Sequence, residues 1–79
     1  MDEIKIIRIH WVDAAHHSGW NTAAEVEAAA TWHRIETVGW LAFENDDFVC
    51  VAQSVSAHGR FADVLTVPKI CIIDRWEME

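Results

Sequence analysis

The sequence predicts a mainly β protein, a small five-stranded barrel with one short helix between strands 1 and 2. Two observations support this prediction. Five segments are rich in β-branched and aromatic residues and are separated by polar turn signals. A glycine at position 39 interrupts the second segment, as is typical where a small barrel bends. The 79 residues are enough for one domain, so we expect a single unit over 1–79.

The five strands follow from this pattern in chain order. Alternation places Ile7, Ile9 and Trp11 on one face of the first strand. The opposite face also carries isoleucine, so we expect the strand to be covered on both sides for part of its length. An acidic turn between the second and third strands favours a hairpin. The predicted strands cover residues 4–12, 33–44, 48–55, 63–67 and 71–78.

The second and fourth strands contain the features that shape the barrel. Simple alternation puts Ile35, Leu41 and Phe43 on one face of the second strand. Pro68 is expected to stop the fourth strand, because proline cannot donate to a central ladder. We therefore predict a single 3₁₀ turn at 68–70, leading into the last strand.

A helix is predicted at 23–30, where alanine dominates and Thr22 and Glu25 fit a capping box. Such a short helix does not persist without packing, and its alanine face suits close approach to the sheet. Trp20 and Trp32 flank the helix. Our favoured interpretation is that they pack it onto the barrel. The alternative is that they line a cleft in which a base or another planar ligand stacks.

Charge and composition exclude several classes of protein. Thirteen acidic residues against six basic ones give a net charge of −7, which disfavours direct binding to duplex nucleic acid. Two cysteines are too few for a disulfide scaffold, and no apolar run is long enough to span a membrane. The first residues lack the pattern of a signal peptide. We expect a soluble cytoplasmic protein with reduced cysteines and no cofactor.

One cluster of residues has the chemistry of metal ligands. His10, Asp13, His16 and His17 follow one another closely, and imidazole and carboxylate both bind zinc. Their spacing matches no established metal motif, so a solvated loop is the favoured interpretation. No nucleophile lies in a catalytic pattern, and Cys50 and Cys71 sit among strand hydrophobes. We therefore do not expect an enzyme.

The hydrophobic content points to self-association. Over half of the chain, 52%, is hydrophobic, and five residues are tryptophan. A domain of this size has too little interior for so many large side chains, so we predict a homo-oligomer. Trp11, Trp40 and Trp76 are the predicted interface residues, with the core as the alternative for Trp11 and Trp40.

Several short motifs carry a resemblance to known proteins. The segment 63–76, with its Val67-Pro68-Lys69 turn, is similar to the strand–turn–strand closure of SH3-like and Sm-like barrels. The chain also resembles small phage-encoded proteins of unassigned function. The motifs concerned are Trp11-Val12-Asp13, Gly19-Trp20, Thr37-Val38-Gly39-Trp40-Leu41 and Val67-Pro68-Lys69. The helix between strands 1 and 2 departs from the Sm pattern, as does the lack of the Sm loops that hold RNA.

The resemblance implies a ring in which strand four of one subunit pairs with strand five of the next. It implies a binding protein, with a host protein or a small anionic nucleotide between subunits as partner, and a host-takeover or anti-defence role. A structural component of a larger viral assembly is the alternative. The candidate residues for ligand or partner binding are Trp20, Trp32, His16, His17, Arg60 and Lys69.

Overall fold

The computed structural model describes residues 3–78, which form one antiparallel sheet of five strands and one short helix. The strands follow the order β4-β3-β2-β1-β5 across the sheet. A 3₁₀ turn at Lys69–Cys71 joins the last two strands. The elements are β1 (Ile6–Asp13), α1 (Ala23–Ala29), β2 (His33–Glu44), β3 (Phe48–Val55), β4 (Phe61–Pro68) and β5 (Ile72–Met78).

The mainly β prediction and the position of the helix are confirmed, but the prediction of a closed barrel is wrong. β2 and β3 have the predicted bounds, whereas β4 begins earlier, at Phe61, and includes Pro68 as its last residue. A proline is tolerated at the end of an edge strand, where its missing N–H leaves no inner ladder incomplete. β4 and β5 are the two edges of the sheet and do not pair with each other. The sheet is therefore bent but open.

The bend lies in β2. Its first part pairs with β1 as far as Trp40, and its second part pairs with β3 from Trp40 to Glu44. At the bend, a Cβ atom on Gly39 would lie 2.5 Å from the carbonyl oxygen of Ala52. No real side chain tolerates that distance, so the close approach of β2 to β3 requires glycine at this position.

Because of this bend, the two halves of the sheet face each other across the core. Trp11 is buried and donates a 3.0 Å hydrogen bond from Nε1 to Oγ1 of Thr37. The three residues that alternation places on one face of β1, Ile7, Ile9 and Trp11, are all buried, so this face enters the core. The opposite face of β1 is half-buried. The core cluster comprises Ile7, Ile9, Trp11, Val49, Val51 and Val67.

A register shift changes the face of one predicted residue. The pairing of β2 with β3 is irregular between Leu41 and Phe43. Leu41 packs against the core as the alternation predicts, together with Ile35, but Phe43 is exposed. A bulge adds one residue to a strand and so reverses the side-chain alternation beyond it. The prediction that Phe43 shares the face of Leu41 is therefore wrong.

The helix forms as predicted but does not pack as predicted. Oγ1 of Thr22 accepts a 3.2 Å hydrogen bond from the backbone N–H of Glu25, which is the N-cap half of the predicted capping box. The Glu25 carboxylate accepts from the Thr22 hydroxyl rather than from its backbone N–H. No residue of α1 is buried, and the helix has no substantial packing against any strand. Trp20 is fully exposed and Trp32 largely so. Their predicted role of packing the helix onto the sheet is wrong.

Residues 14–32 therefore form a projecting segment, which we call the arm. The long dimension of the molecule is 54 Å, against 23 and 21 Å across. Even β2, with twelve residues, would span only about 40 Å if it were straight. Within 3–78 no helix reaches the length and apolar content that crossing a bilayer demands.

Replacement of Gly39 by alanine tests the bend. We expect Gly39→Ala to lower the free energy of unfolding by about 2–4 kcal/mol, because the methyl group would overlap the backbone of β3. Gly59→Ala is the matched control: its φ of 75° also disfavours alanine, but the space around it is open. We expect that control to cost only about 1 kcal/mol. Urea unfolding of both variants measures the difference, and equal losses would contradict the proposed origin of the bend.

Candidate interaction surfaces

Both edges of the sheet present apolar side chains to solvent. On β4, the exposed residues are Phe61, Val64 and Leu65. On β5, they are Ile73, Trp76 and Met78. An edge strand has unpaired backbone donors and acceptors, and soluble proteins ordinarily protect such an edge with charges, prolines or covering elements. The charged residues of these two strands and Pro68 protect the edges only in part. The partly apolar edges are therefore the surfaces most suited to strand pairing with another chain.

The three predicted interface tryptophans have different environments. Trp11 is enclosed in the core of its own chain, so the interface prediction rests on Trp40 and Trp76. Trp40 is half-buried, at the bend. Trp76 is exposed on β5, and the guanidinium of Arg8 lies 4.7 Å from its ring centroid, a cation–π distance. Arg8 also donates a 2.6 Å hydrogen bond to Glu36, which orients the guanidinium over the ring.

A cluster of charged residues lies at the gap between the two halves of the sheet. Glu44, at the end of β2, accepts hydrogen bonds of 2.7 and 2.9 Å from both terminal nitrogens of Arg75 on β5. Nζ of Lys69, in the 3₁₀ turn, lies 2.8 Å from Oε2 of the same carboxylate. We call these three residues the seam cluster. They connect β2, β5 and the turn between β4 and β5 where backbone pairing is absent.

The seam cluster strongly favours the ionised form of its carboxyl group. The hydrogen bonds from Arg75 and then from Lys69 lower the pKa of Glu44 from 4.5 to about 2. Two cations surround one carboxylate, so the cluster has one positive charge in excess in a chain whose net charge is −7. A shallow cavity of about 270 Å³ opens beside the cluster, with Val49 and Ile72 as its apolar walls.

The arm differs from the seam cluster in charge and in exposure. Its only charged side chains are Glu25 and Glu27. Glu25 is engaged at the N-cap, whereas within residues 3–78 the carboxylate of Glu27 has no partner. Val26 is exposed between them, and Trp20 and Trp32 are exposed on either side of the helix. The arm is thus an acidic and aromatic surface.

The structure distributes the predicted binding residues over three places. Trp20, Trp32, His16 and His17 all lie on the arm and are exposed. Lys69 belongs to the seam cluster. Arg60 lies in the turn 56–60, where its backbone N–H donates a 3.1 Å hydrogen bond to Ser56. Among residues 3–78, no side-chain hydrogen bond or ion pair joins these three places.

The predicted metal ligands are not brought together. In the part of the chain described, 3–78, no three His, Cys, Asp or Glu side chains are arranged to hold a metal ion. Asp13 instead accepts a 2.8 Å hydrogen bond from the backbone N–H of Ala14, at the start of the arm. Cys50 and Cys71 are free thiols and are half-buried; Sγ of Cys50 lies 3.4 Å from Oγ1 of Thr66.

Three residues of these surfaces were not predicted. In the sequence, Glu44 adjoins the acidic turn after the second predicted strand, and Arg75 is an isolated basic residue of the fifth. Their pairing joins positions 31 residues apart. No local pattern in the sequence indicates such a contact. Arg34, at the base of the arm, is exposed. Arg34 and Arg60 are the two of the six basic residues that form no ion pair within the described 3–78.

Comparison of the chain with protein-family models, with curated proteins and with solved structures finds no match.

The seam cluster gives the fold a specific dependence on pH. A carboxyl group whose pKa is lower in the folded state stabilises the fold above its unfolded pKa, and this contribution disappears as the pH falls from about 4.5 to about 2. We expect Glu44→Gln to cost about 1–2 kcal/mol at pH 7, a value moderated by partial exposure of the cluster. The difference from the wild-type chain should vanish near pH 2.

Urea unfolding between pH 2 and pH 7 measures this dependence. Glu36→Gln is the matched control, because Glu36 is also paired with an arginine but lies on the exposed outer face. A Glu44→Gln variant as stable as the wild-type chain at pH 7 would show that the seam cluster does not hold the two halves of the sheet together.

Proposed function

We propose that this chain is a non-enzymatic binding protein that assembles into a homo-oligomeric ring through its β4 and β5 edges. The observation behind the proposal is that both edges lack a strand partner and expose apolar side chains. Pairing β4 of one copy with β5 of the next satisfies the backbone groups of both edges at once. It also covers apolar surface that a 79-residue chain has no other means to bury.

The shape of the sheet favours closure over open growth. A contact between two different edges is heterologous, and repeated heterologous contacts give a ring if the rotation closes and a filament if it does not. The bend at Gly39 curves each subunit, so successive copies are rotated relative to one another. A closed ring leaves no edge exposed, which is the state compatible with a dissolved protein.

The strand order and the bent sheet support an Sm-like interpretation of the assembly. In this interpretation β5-β1-β2-β3-β4 is one subunit, and the 3₁₀ turn before β5 separates the two pairing strands. The resemblance to small phage-encoded proteins adds a host-takeover or anti-defence role in the cytoplasm of the host cell. That role is part of the proposal, and it rests on the motifs of the sequence.

The proposed ligand of the ring is a small anionic nucleotide. Arg34 and Arg60 are exposed and form no ion pair within residues 3–78, so their charge is available to an anion. His16 and His17 add donors on the neighbouring arm. In the single chain the two arginines lie in different places, the base of the arm and the turn 56–60. An isolated cation in an acidic surface suits a small phosphate group better than a long acidic polymer.

Charge substitutions at the two edges test the ring. Val64 on β4 and Ile73 on β5 are 47% and 51% exposed in the single chain, so lysine at either position should not disturb the fold. We expect the wild-type chain to be oligomeric at micromolar concentration, and Val64→Lys and Ile73→Lys each to be monomeric. Native mass spectrometry and light scattering measure the masses.

A mixture of the two variants identifies the type of contact. Val64→Lys retains an intact β5 edge and Ile73→Lys an intact β4 edge, so equal amounts should give a one-to-one heterodimer. Val38→Lys is the matched control, because Val38 is 55% exposed but lies on β2, inside the sheet. This control should remain oligomeric. A monomeric wild-type chain, or dissociation by only one of the two edge variants, would refute the heterologous ring.

A nucleotide that binds the native ring must raise its melting temperature. We expect at least one mono-, di- or cyclic nucleotide to do so, and Arg60→Ala and Arg34→Ala to reduce the shift. Lys5→Ala is the control, since Lys5 is paired with Glu77 at 3.0 Å. If no nucleotide shifts the melting temperature of the wild-type ring, the ligand is not a nucleotide and a host protein becomes the candidate.

A further inference from the structure

We propose that the arm of each subunit docks onto the 3₁₀ turn and seam cluster of the next subunit in the ring. The occupant of this surface is thus a second copy of the same chain. The inference rests on the proposed ring, and it assigns a role to the arm, whose helix has no substantial packing against any strand within residues 3–78. Three observations support it: the strand directions, the charges and the exposed apolar area.

The strand directions place the two surfaces side by side. β1 leads into the arm, and the start of β5 pairs with the same end of β1, at Trp11 and Ile72. All pairs within the sheet are antiparallel. Continuing that pattern, β4 of the neighbour brings its Pro68 end to the start of β5. Only β5 then separates the base of the arm from the neighbour's 3₁₀ turn, a distance of about 10 Å at the usual strand spacing.

The charges of the two surfaces are complementary. The arm has two acidic residues and no lysine or arginine. Lys69 and Arg75 give the seam cluster one positive charge in excess over Glu44. The charge of Glu77 also acts on Arg75, so Lys69 is the cation available to the arm. Nζ of Lys69 has donors beyond its contact with Glu44, and the carboxylate of Glu27 has no partner within 3–78. A contact between Glu27 and the neighbour's Lys69 would satisfy both.

The apolar side chains match as well. Ile70, in the middle of the 3₁₀ turn, is 95% exposed, which is unusual for a large aliphatic residue in a folded domain. The arm offers Trp20, Trp32 and Val26. A tryptophan buries about 150–250 Å², so the two tryptophans add roughly 300–500 Å² to the narrow contact of two paired strands. A stable interface needs about 800 Å² from each partner, and the arm contributes a substantial part of that area.

With the arm docked, the exposed groups have two separate functions. Trp20 and Trp32 contribute to the contact between subunits, and the unpaired arginines remain available to the anionic ligand. It also accounts for a helix of only seven residues, which is too short to persist in water without a packing surface.

Hydrogen exchange of the arm tests the docking directly. In the wild-type ring, backbone amides of α1 should exchange at least about tenfold more slowly than in the monomeric Val64→Lys variant, because an undocked helix of this length opens readily. Peptides that cover the arm, 14–32, report this difference by mass spectrometry. Native mass spectrometry of the same samples establishes whether the ring is present.

Ile70→Glu locates the docking surface. The side chain is exposed in the single chain, so this variant should fold and retain both edges, yet its arm should lose the protection seen in the wild-type ring. Val38→Glu is the matched control and should keep that protection. If the ring is present but its arm exchanges as fast as the arm of the Val64→Lys monomer, the docking is refuted and the ring stands. Full protection of the arm in Ile70→Glu would also refute the docking. A monomeric wild-type chain would refute both proposals.

Discussion

The close approach of β2 to β3 at Gly39 is the constraint on which the rest of the structure depends. With no Cβ at this position, β2 passes against the backbone of Ala52 and pairs with β1 on one side of the bend and β3 on the other. The bend turns one sheet into two facing halves, and it brings the apolar face of β1 onto Val49, Val51 and Val67. Without it, a five-stranded sheet of this length would have no second layer and therefore no core.

Because of the same bend, β4 and β5 remain unpaired, and side chains rather than a strand ladder connect the two halves of the sheet at this gap. β4 and β5 are joined by a turn of three residues, yet they do not pair, and Glu44 connects the two halves through Arg75 and Lys69. A bidentate arginine–carboxylate pair has a specific geometry. It therefore stabilises the contact between the two halves of the sheet and also fixes the distance between them. The gap keeps both edges of the sheet free, which is the geometric condition for pairing with other copies.

The elements of the fold could be predicted from the sequence more fully than their arrangement. Strand and helix bounds follow from local signals, and β2, β3 and the N-cap at Thr22 show this well. The face of Phe43 could not be predicted, because it depends on a bulge between paired strands. The contact of Glu44 with Arg75 joins residues distant in sequence. Among the candidate binding residues, the aromatic and histidine side chains of the arm could be identified from the sequence. Arg34 could not, because it differs from most of the other cations only in having no ion pair within residues 3–78, which the structure alone shows.

Most of the exposed large apolar residues lie on the two edges, on the 3₁₀ turn and on the arm. Val38, Phe43 and Phe48 are exposed elsewhere, on β2 and β3. Within residues 3–78 the buried core cluster consists of six residues. A core of that size offsets little of the entropy lost on ordering a domain, which is about 1–2 kcal/mol per residue for the backbone alone. Scattered surface hydrophobes would need no explanation. Hydrophobes concentrated on unpaired edges and on a helix without packing are the reason for proposing that contacts between copies complete the folded state of this chain.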